Sequence, residues 1–340
     1  MNLCAGMDLH STNTYLGIIE VGSMKRVYKK RIHNNLTVIL SELEPFRDML
    51  EGIAIESTYN WYWLVDGLMD ADYNCIYLAN PSAMKQYKGL KHVDDKHDAF
   101  WLAHMLSLGI LPTGYIYPKE ERPVRDLLRK RSYLVRQRTS NILSLQSLFE
   151  RQIGKKINSN DIKRLKDEDV EHLLKEEHLV MSAMANLKAI NFLNSQIKPI
   201  EKTVKNSIKL RKSFECLLSV PGIGIILALT IMLEVGDINR FAKVGNFSSY
   251  CRCVSSTRTS NGKSKGKGNS KNGNRYLAWA FVEAANFARR YNVYFNKFYQ
   301  KKASRRNQIV ATKALSNKLA RACYYVMKDQ VPFKEELLIS

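Results

Sequence analysis

The sequence predicts an α/β domain followed by a mostly helical chain, and three observations carry that prediction. Short β-prone runs alternate with helix-prone ones over residues 1–118. From Pro123 to Gln152 the chain is helix-prone, with no glycine or later proline to interrupt it. Charge divides with the same boundary: residues 1–118 hold 10 basic and 13 acidic residues, residues 119–340 hold 43 and 19. The net charge of +21 over 340 residues calls for a polyanionic partner, and a 45% hydrophobic content excludes disorder as the main state.

The elements follow in order. Residues 3–9, 14–20 and 25–32 alternate in the manner of strands between polar turns, an antiparallel meander. Leu36 to Leu50 has apolar residues at helical spacing, Gly52–Glu56 and Cys75–Leu78 read as short buried strands, and Trp61–Met69 reads as a helix between them. A third helix is expected from about Asp94. This order makes a mixed sheet flanked by helices over 1–118. Residues 119–212 read as a basic helical region, an antiparallel hairpin of coiled-coil type, with its second arm (Asp167 to Lys212) broken near Pro199. Residues 213–340 form the last, mostly helical region. There Val220-Pro221-Gly222-Ile223-Gly224 joins two apolar helices in the manner of a helix-hairpin-helix turn, whose amides would hold a phosphate at Gly222 and Gly224. An ordinary Pro-Gly turn explains the same residues.

Several function classes drop out. The six cysteines show no CxxC and no zinc spacing, which reads as free thiols. The N-terminus lacks the charged and apolar regions of a signal peptide, and Ile223–Leu233 is about half the length of a membrane span, so a cytoplasmic protein with no membrane partner is expected.

Four acids are candidates for chemistry. Asp8 ends the first strand, Glu56 ends a buried strand, and Asp95 and Asp98 sit three apart at a helix start. Asp94 is the rival to Asp95, but it lies about 100° around the helix. Carboxylates converging at one sheet edge need cations, and hard oxygen ligands suit Mg²⁺, with Mn²⁺ as the substitute. Taken singly, each acid also fits a turn or a helix first turn.

The segment from Arg258 to Arg275 holds six cations (Arg258, Lys263, Lys265, Lys267, Lys271, Arg275), glycines and no acid, which reads as a flexible loop lying along a sugar-phosphate strand. Ser260, at its mouth beside Arg258, is the candidate nucleophile. Ser264 and Ser270 lie deeper in the loop. Arg125, Arg129 and Arg136 on the long basic helix are the candidate phosphate contacts upstream.

The combination of GMDLHS, AIEST, DDKHDAFWLA, LLSVPGIG, FSSYCRCVSS, TSNGKSKGKGN and GNRYLAWAF resembles the DEDD transposases of bacterial insertion sequences over nearly the whole chain. The resemblance implies a ribonuclease H-like (RuvC-like) domain, a coiled-coil middle and a transposase domain with a catalytic serine. It implies DNA partners (donor and target), a structured bridge RNA as guide, and a homo-oligomer of two to four subunits. Residue by residue, the family's acidic tetrad falls on Asp8, Glu56, Asp95 and Asp98, and its serine on Ser260. Where members commonly have Gly-Leu-x-Pro, this chain has Cys253-Val254-Ser255-Ser256, so Ser255 and Ser256 compete for the serine role. A junction-resolving RuvC-like nuclease and a non-enzymatic nucleic-acid-binding protein are the alternative readings.

Overall fold

The computed structural model describes residues 2–84, 95–207, 212–267 and 272–335. The chain divides into two compact units, Met1–Lys119 and Glu120–Ser340.

The first unit is a five-stranded mixed sheet with helices. Its strands are β1 (Leu3–Leu9), β2 (Asn13–Glu20), β3 (Arg26–His33), β4 (Leu50–Glu56) and β5 (Ile76–Ala79), in the spatial order β3-β2-β1-β4-β5. The first three pair antiparallel, whereas β4 runs parallel to β1 and β5 parallel to β4. This is the mixed α/β sheet expected from the sequence, in an arrangement consistent with a RuvC-like domain. The central strand β1 is buried along its whole length, as expected of a strand covered on both faces.

Helices α1 (Leu36–Leu43), α2 (Tyr62–Asp70), the short α3 (Pro81–Met84) and α4 (Asp95–Ser107) complete the unit. The helix expected over Leu36–Leu50 stops at Leu43: Pro45 cannot donate to the α-helical ladder, and Glu44–Met49 tightens into a 3₁₀ turn that delivers the chain into β4 two residues early. Gly6 decides where α4 lies. A Cβ on Gly6 would sit 1.9 Å from the Ala99 carbonyl oxygen and 2.7 Å from the Ala103 nitrogen, so only glycine lets this helix rest directly on β1.

The second unit is helical apart from one hairpin. α5 (Arg122–Ile153) and α8 (Glu177–Ser207) pair antiparallel, with Arg131 bonded to Glu201 and Arg138 to Asn194, and short helices α6 (Ser159–Ile162) and α7 (Asp167–Leu173) cap their far end. Pro199 does not break the second arm: it lies on the exposed face of α8, which continues through it to Ser207, and the chain breaks at 174–176 instead. The root of this helical pair and the C-terminal helices share one core, which includes Leu128 and Val204, so the stretches expected as 119–212 and 213–340 lie in a single compact unit.

That core surrounds α10 (Ile225–Val235), packed by α9 (Lys212–Leu218), α11 (Val244–Tyr250), α12 (Arg275–Tyr291), α13 (Val293–Arg305) and α14 (Gln308–Asp329). A helix apolar on all sides belongs in an interior, and nine of its eleven residues are buried. Among the described residues no helix is long and apolar enough to cross a membrane. None of the six cysteines forms a disulfide; five are buried and Cys75 is exposed. Burial pushes the Cys253 thiol up to about 12.

Candidate functional site

The acidic edge of the first unit is built by strand pairing. Met7 of β1 lies opposite Ile55 of the parallel β4, so Asp8 and Glu56, each the next residue, reach the same end of the sheet. Gly6 then brings in the third acid: with Ala99 seated on Gly6, Asp98 comes to the end of β1 where Asp8 stands. Asp8 is 2% exposed and hydrogen-bonds Glu56. Burial pushes its carboxyl up to about 7; the Glu56 hydrogen bond and the charges of Glu56 and Asp98 push the same way, and His10 pulls against them.

The structure therefore brings Asp8, Glu56 and Asp98 together. Asp95 opens α4, and its side chain lies outside the described residues, as does Asp94. Among the described residues no three Asp, Glu, His or Cys side chains already form a metal cage. The donor chemistry nevertheless fits a hard divalent cation: the buried Asp8 carboxyl, hydrogen-bonded to the half-buried Glu56, carries oxygen donors whose negative charge a dication would neutralise. Sequence reasoning missed His10, whose Nε2 stands 3.1 Å from Asp8 Oδ2. Its backbone carbonyl accepts from both Asn34 and Asn60 side chains, which fixes the chain just past Asp8. The only sequence signal was its place two residues after Asp8.

In the second unit the serine segment is more ordered than a flexible loop. Thr257–Ser260 (β6) and Lys263–Lys267 (β7) form an antiparallel hairpin, closed by Asn261 (φ 51°) and Gly262 (φ 71°). Two residues at positive φ make the turn that matches strand twist, and Asn-Gly is its preferred sequence. Ser260 is exposed at the tip, with Lys263 as its direct cross-strand partner; Lys265, also exposed, follows two residues along the same strand. Arg258 and Lys267 contribute backbone to the strands, their side chains lying outside the described residues, as does Lys271 entirely. Ser255 and Ser256 precede the hairpin and are exposed.

The root of the hairpin is held firmly. Arg252 donates to the carbonyls of Asn272 and Gly273 at 2.9 to 3.1 Å. Gly273 (φ 89°) packs against Tyr250, whose carbonyl also accepts from the Asn274 backbone at 2.7 Å. The Asn274 side chain caps α12 by accepting from Tyr276 and Leu277, and donates to the buried Glu234 at 2.7 Å.

Glu234 takes its other partner from the long basic helix, and this corrects the role expected of two arginines. Arg129 makes a bidentate bridge to Glu234 at 2.6 and 2.7 Å and lies 4.7 Å over the Tyr276 ring. Burial opposes its charge, yet the Glu234 hydrogen bonds and charge hold its pKa above the usual arginine value. Arg125 is buried at 3% exposure. Both side chains turn into the unit because α5 packs its root on the C-terminal core. Arg136 and Arg275 remain exposed.

Gly222 (φ 87°) also has a packing task. A Cβ there would stand 2.3 Å from the Ala284 carbonyl oxygen, so the turn is pressed onto α12. Gly224, exposed at the start of α10, has open space around it.

Comparison with known proteins finds two family models on separate segments of the chain. Residues 5–152, which carry the carboxylates, match a transposase family model of the DEDD, IS110 type. Residues 214–300, which carry the serine hairpin, match the model of the transposase IS116/IS110/IS902 family. The chain is 28% identical over 228 residues to a transposase for insertion sequence element IS1328 from Yersinia enterocolitica, covering 64% of this chain and 66% of that one. It is 26% identical over 267 residues to a transposase for insertion sequence element IS1111A from Coxiella burnetii, covering 76% and 72%. The matched stretch thus spans just under two thirds of the Yersinia relative. The two models, matched on separate segments, and these relatives together support a DEDD transposase of the IS110 type.

Proposed function

We propose that this protein cuts and rejoins DNA as the transposase of an insertion sequence. In this reading Ser260 is the nucleophile, and Asp8, Glu56, Asp95 and Asp98 hold Mg²⁺, or Mn²⁺ in its place. A structured guide RNA selects the donor and target DNA, and a homo-oligomer of two to four subunits carries out the exchange. The observation that carries the reading is the buried Asp8 carboxyl, hydrogen-bonded to Glu56 within reach of the Asp98 charge, in a family named for its acids. The guide RNA and the oligomer rest on the family resemblance alone.

When bound, divalent ions at such an edge supply charge neutralisation to phosphate oxygens. The chain's own residues do the rest. Ser260 Oγ forms an ester to phosphorus as a strand P–O bond breaks, its proton leaves to solvent, and the departing oxygen takes up a proton. Lys263, across the hairpin, and Lys265 lower the negative charge that the serine meets. Arg136, Arg258, Lys267, Lys271 and Arg275 contact backbone phosphates, without directly reading sequence. His10 orients the Asp8 carboxyl.

The test incubates the protein with its co-purified RNA, labelled donor and target DNA and Mg²⁺, and looks for a protein–DNA adduct that survives denaturation. Ser260→Ala abolishes the adduct and leaves DNA binding intact. An adduct that persists moves the nucleophile to Ser255 or Ser256. Strand cleavage that persists with no adduct assigns a junction-resolving nuclease instead.

A further inference from the structure

Between Glu283 and Asp329 the chain carries eleven cations and no acid. This stretch covers the end of α12, all of α13 and nearly all of α14, and none of its residues was a candidate contact from motif reasoning. Lys297, Lys301, Lys302, Arg305 and Arg306 are exposed along α13 and just past it. Such a density of one sign, unrelieved over three helices, is complementary to a phosphate chain.

Amid these cations, α12 exposes two aromatic rings. Tyr291 is 80% exposed and Phe287, one helical turn earlier, 42%. Their rings are nearly parallel, 12° apart with centroids 6.5 Å from one another, so they share one stacking direction. Arg290 is exposed beside them, three residues from Phe287 on the same face. The opposite face of α12 buries Leu277, Phe281, Ala284 and Ala288 in the core, so the packing of the unit does not need the two rings. Asn292, which follows the helix, donates to Glu335, and half-exposed Glu283 lies one turn before Phe287; these two carboxylates stand against the many cations of the stretch.

We propose that the outward face of α12 around Phe287, Arg290 and Tyr291 is a stacking platform for unpaired bases of single-stranded DNA. Bases in a duplex stack on one another and hide their faces from protein rings; an unpaired strand offers every base a ring can cover, whatever its identity. The inference rests on the strand-exchange reading above, since exchange requires strands parted from their partners. Geometry gives the platform a holding role. α12 starts at Arg275, just after the root of the serine hairpin, and Tyr291 lies about 24 Å along the helix at 1.5 Å per residue. The rings thus grip a strand several nucleotides from the helix start.

The experiment uses the full chain carrying Ser260→Ala, in EDTA, so that no strand chemistry takes part. Binding is measured for a 20-mer of about twenty thymidines, an abasic strand of the same length, a duplex of that length and an RNA oligo-uridine, all at about that size so that phosphate contacts match. The Phe287→Leu/Tyr291→Leu pair keeps apolar bulk and removes the rings. It is expected to weaken oligo-thymidine binding at least tenfold, with duplex binding changed less than about threefold and the unfolding midpoint unchanged. Tyr291→Trp should retain tight binding, and the unsubstituted rings should bind the abasic strand about as weakly as the leucine pair binds oligo-thymidine. Equal binding of abasic and thymidine strands, or no loss in the leucine pair, overturns the platform. Oligo-uridine bound tenfold more tightly than oligo-thymidine overturns DNA as its occupant. Loss of the Ser260 adduct assay would not alter these binding ratios, and loss of the ratios would leave the serine assay standing.

Discussion

The two candidate centres are supported in opposite ways. Asp8 lies within the central strand of a five-stranded sheet, has strand neighbours on both sides and a helix seated directly on its strand. Ser260 stands at the exposed tip of a two-stranded hairpin whose order comes from its own turn and from the bonds at its root. The first centre is preorganised and holds the cost of it in a carboxyl kept far from its ordinary pKa. The second is exposed at its tip and tied at its base by the Arg252 and Asn274 bonds. The proposed reaction would use this division: charged metal ligands need fixed spacing, whereas a nucleophile has to reach its phosphate.

Breaking each support measures the difference, starting with the largest effect. Gly6→Ala drives a methyl into the α4 backbone, which cannot give way as a flexible side chain would. The expected cost is about 3 kcal/mol or more in urea denaturation, seen as loss of soluble protein in the worst case. A loss below about 1 kcal/mol would mean that α4 is not fixed on β1. At the root of the second centre, Arg129→Met leaves the buried Glu234 without its cation and should cost about 3 kcal/mol. The same substitution should raise hydrogen exchange at the start of α12, since Asn274 shares the Glu234 carboxylate. Unchanged exchange there would separate the ion pair from the hairpin root.

The acidic edge has a pH signature. Asp8 titrates near 7 in the folded protein and near 3.8 when unfolded, so the folded state binds the proton more tightly, and stability falls as pH rises from about 4 to about 7. In EDTA, Asp8→Asn should therefore stabilise the protein, by about 2.5 kcal/mol more at pH 8 than at pH 5, read from denaturation midpoints. A pH-independent difference would place Asp8 outside the carboxyl cluster. The smallest effect belongs to the tip. Gly262→Ala meets no neighbour and carries only the strain of a positive φ, about 1 kcal/mol, confined to the hairpin. Calorimetry on the whole protein should barely register it, and a large global loss would show that the hairpin is part of the core.

Much of this was legible because it depends on short-range patterns. The three-strand meander, the buried strands at Gly52–Glu56 and Cys75–Leu78, and the apolar α10 follow from alternation and composition, and the structure shifts their ends by at most two residues. What escaped depends on partners distant in sequence. Arg125 and Arg129 look like any surface cations on a basic helix until the core beneath that helix is known; Glu234, 105 residues later, decides the fate of Arg129. Gly6 gave no turn signal, because its reason is a helix that arrives more than 90 residues later. Pro199 satisfies the local rule for a helix break, yet α8 runs through it, held along its length by its pairing with α5. The Asn261-Gly262 pair was legible in principle, but the surrounding lysines and glycines masked the strands on either side, which have no apolar alternation to reveal them.

The distribution of thiols turns the molecule into its own reporter. Cys75, in the first unit, is exposed, while Cys4 there and Cys216, Cys251, Cys253 and Cys323 in the second unit are buried. A thiol-specific dye should attach once to the native protein and six times to the unfolded chain, so mass spectrometry of partly labelled samples counts molecules that have opened. Since the buried thiols are shared between the units, peptide mapping of the second label tells which unit opens first, and a fluorophore on Cys75 alone follows the first unit without any engineered residue.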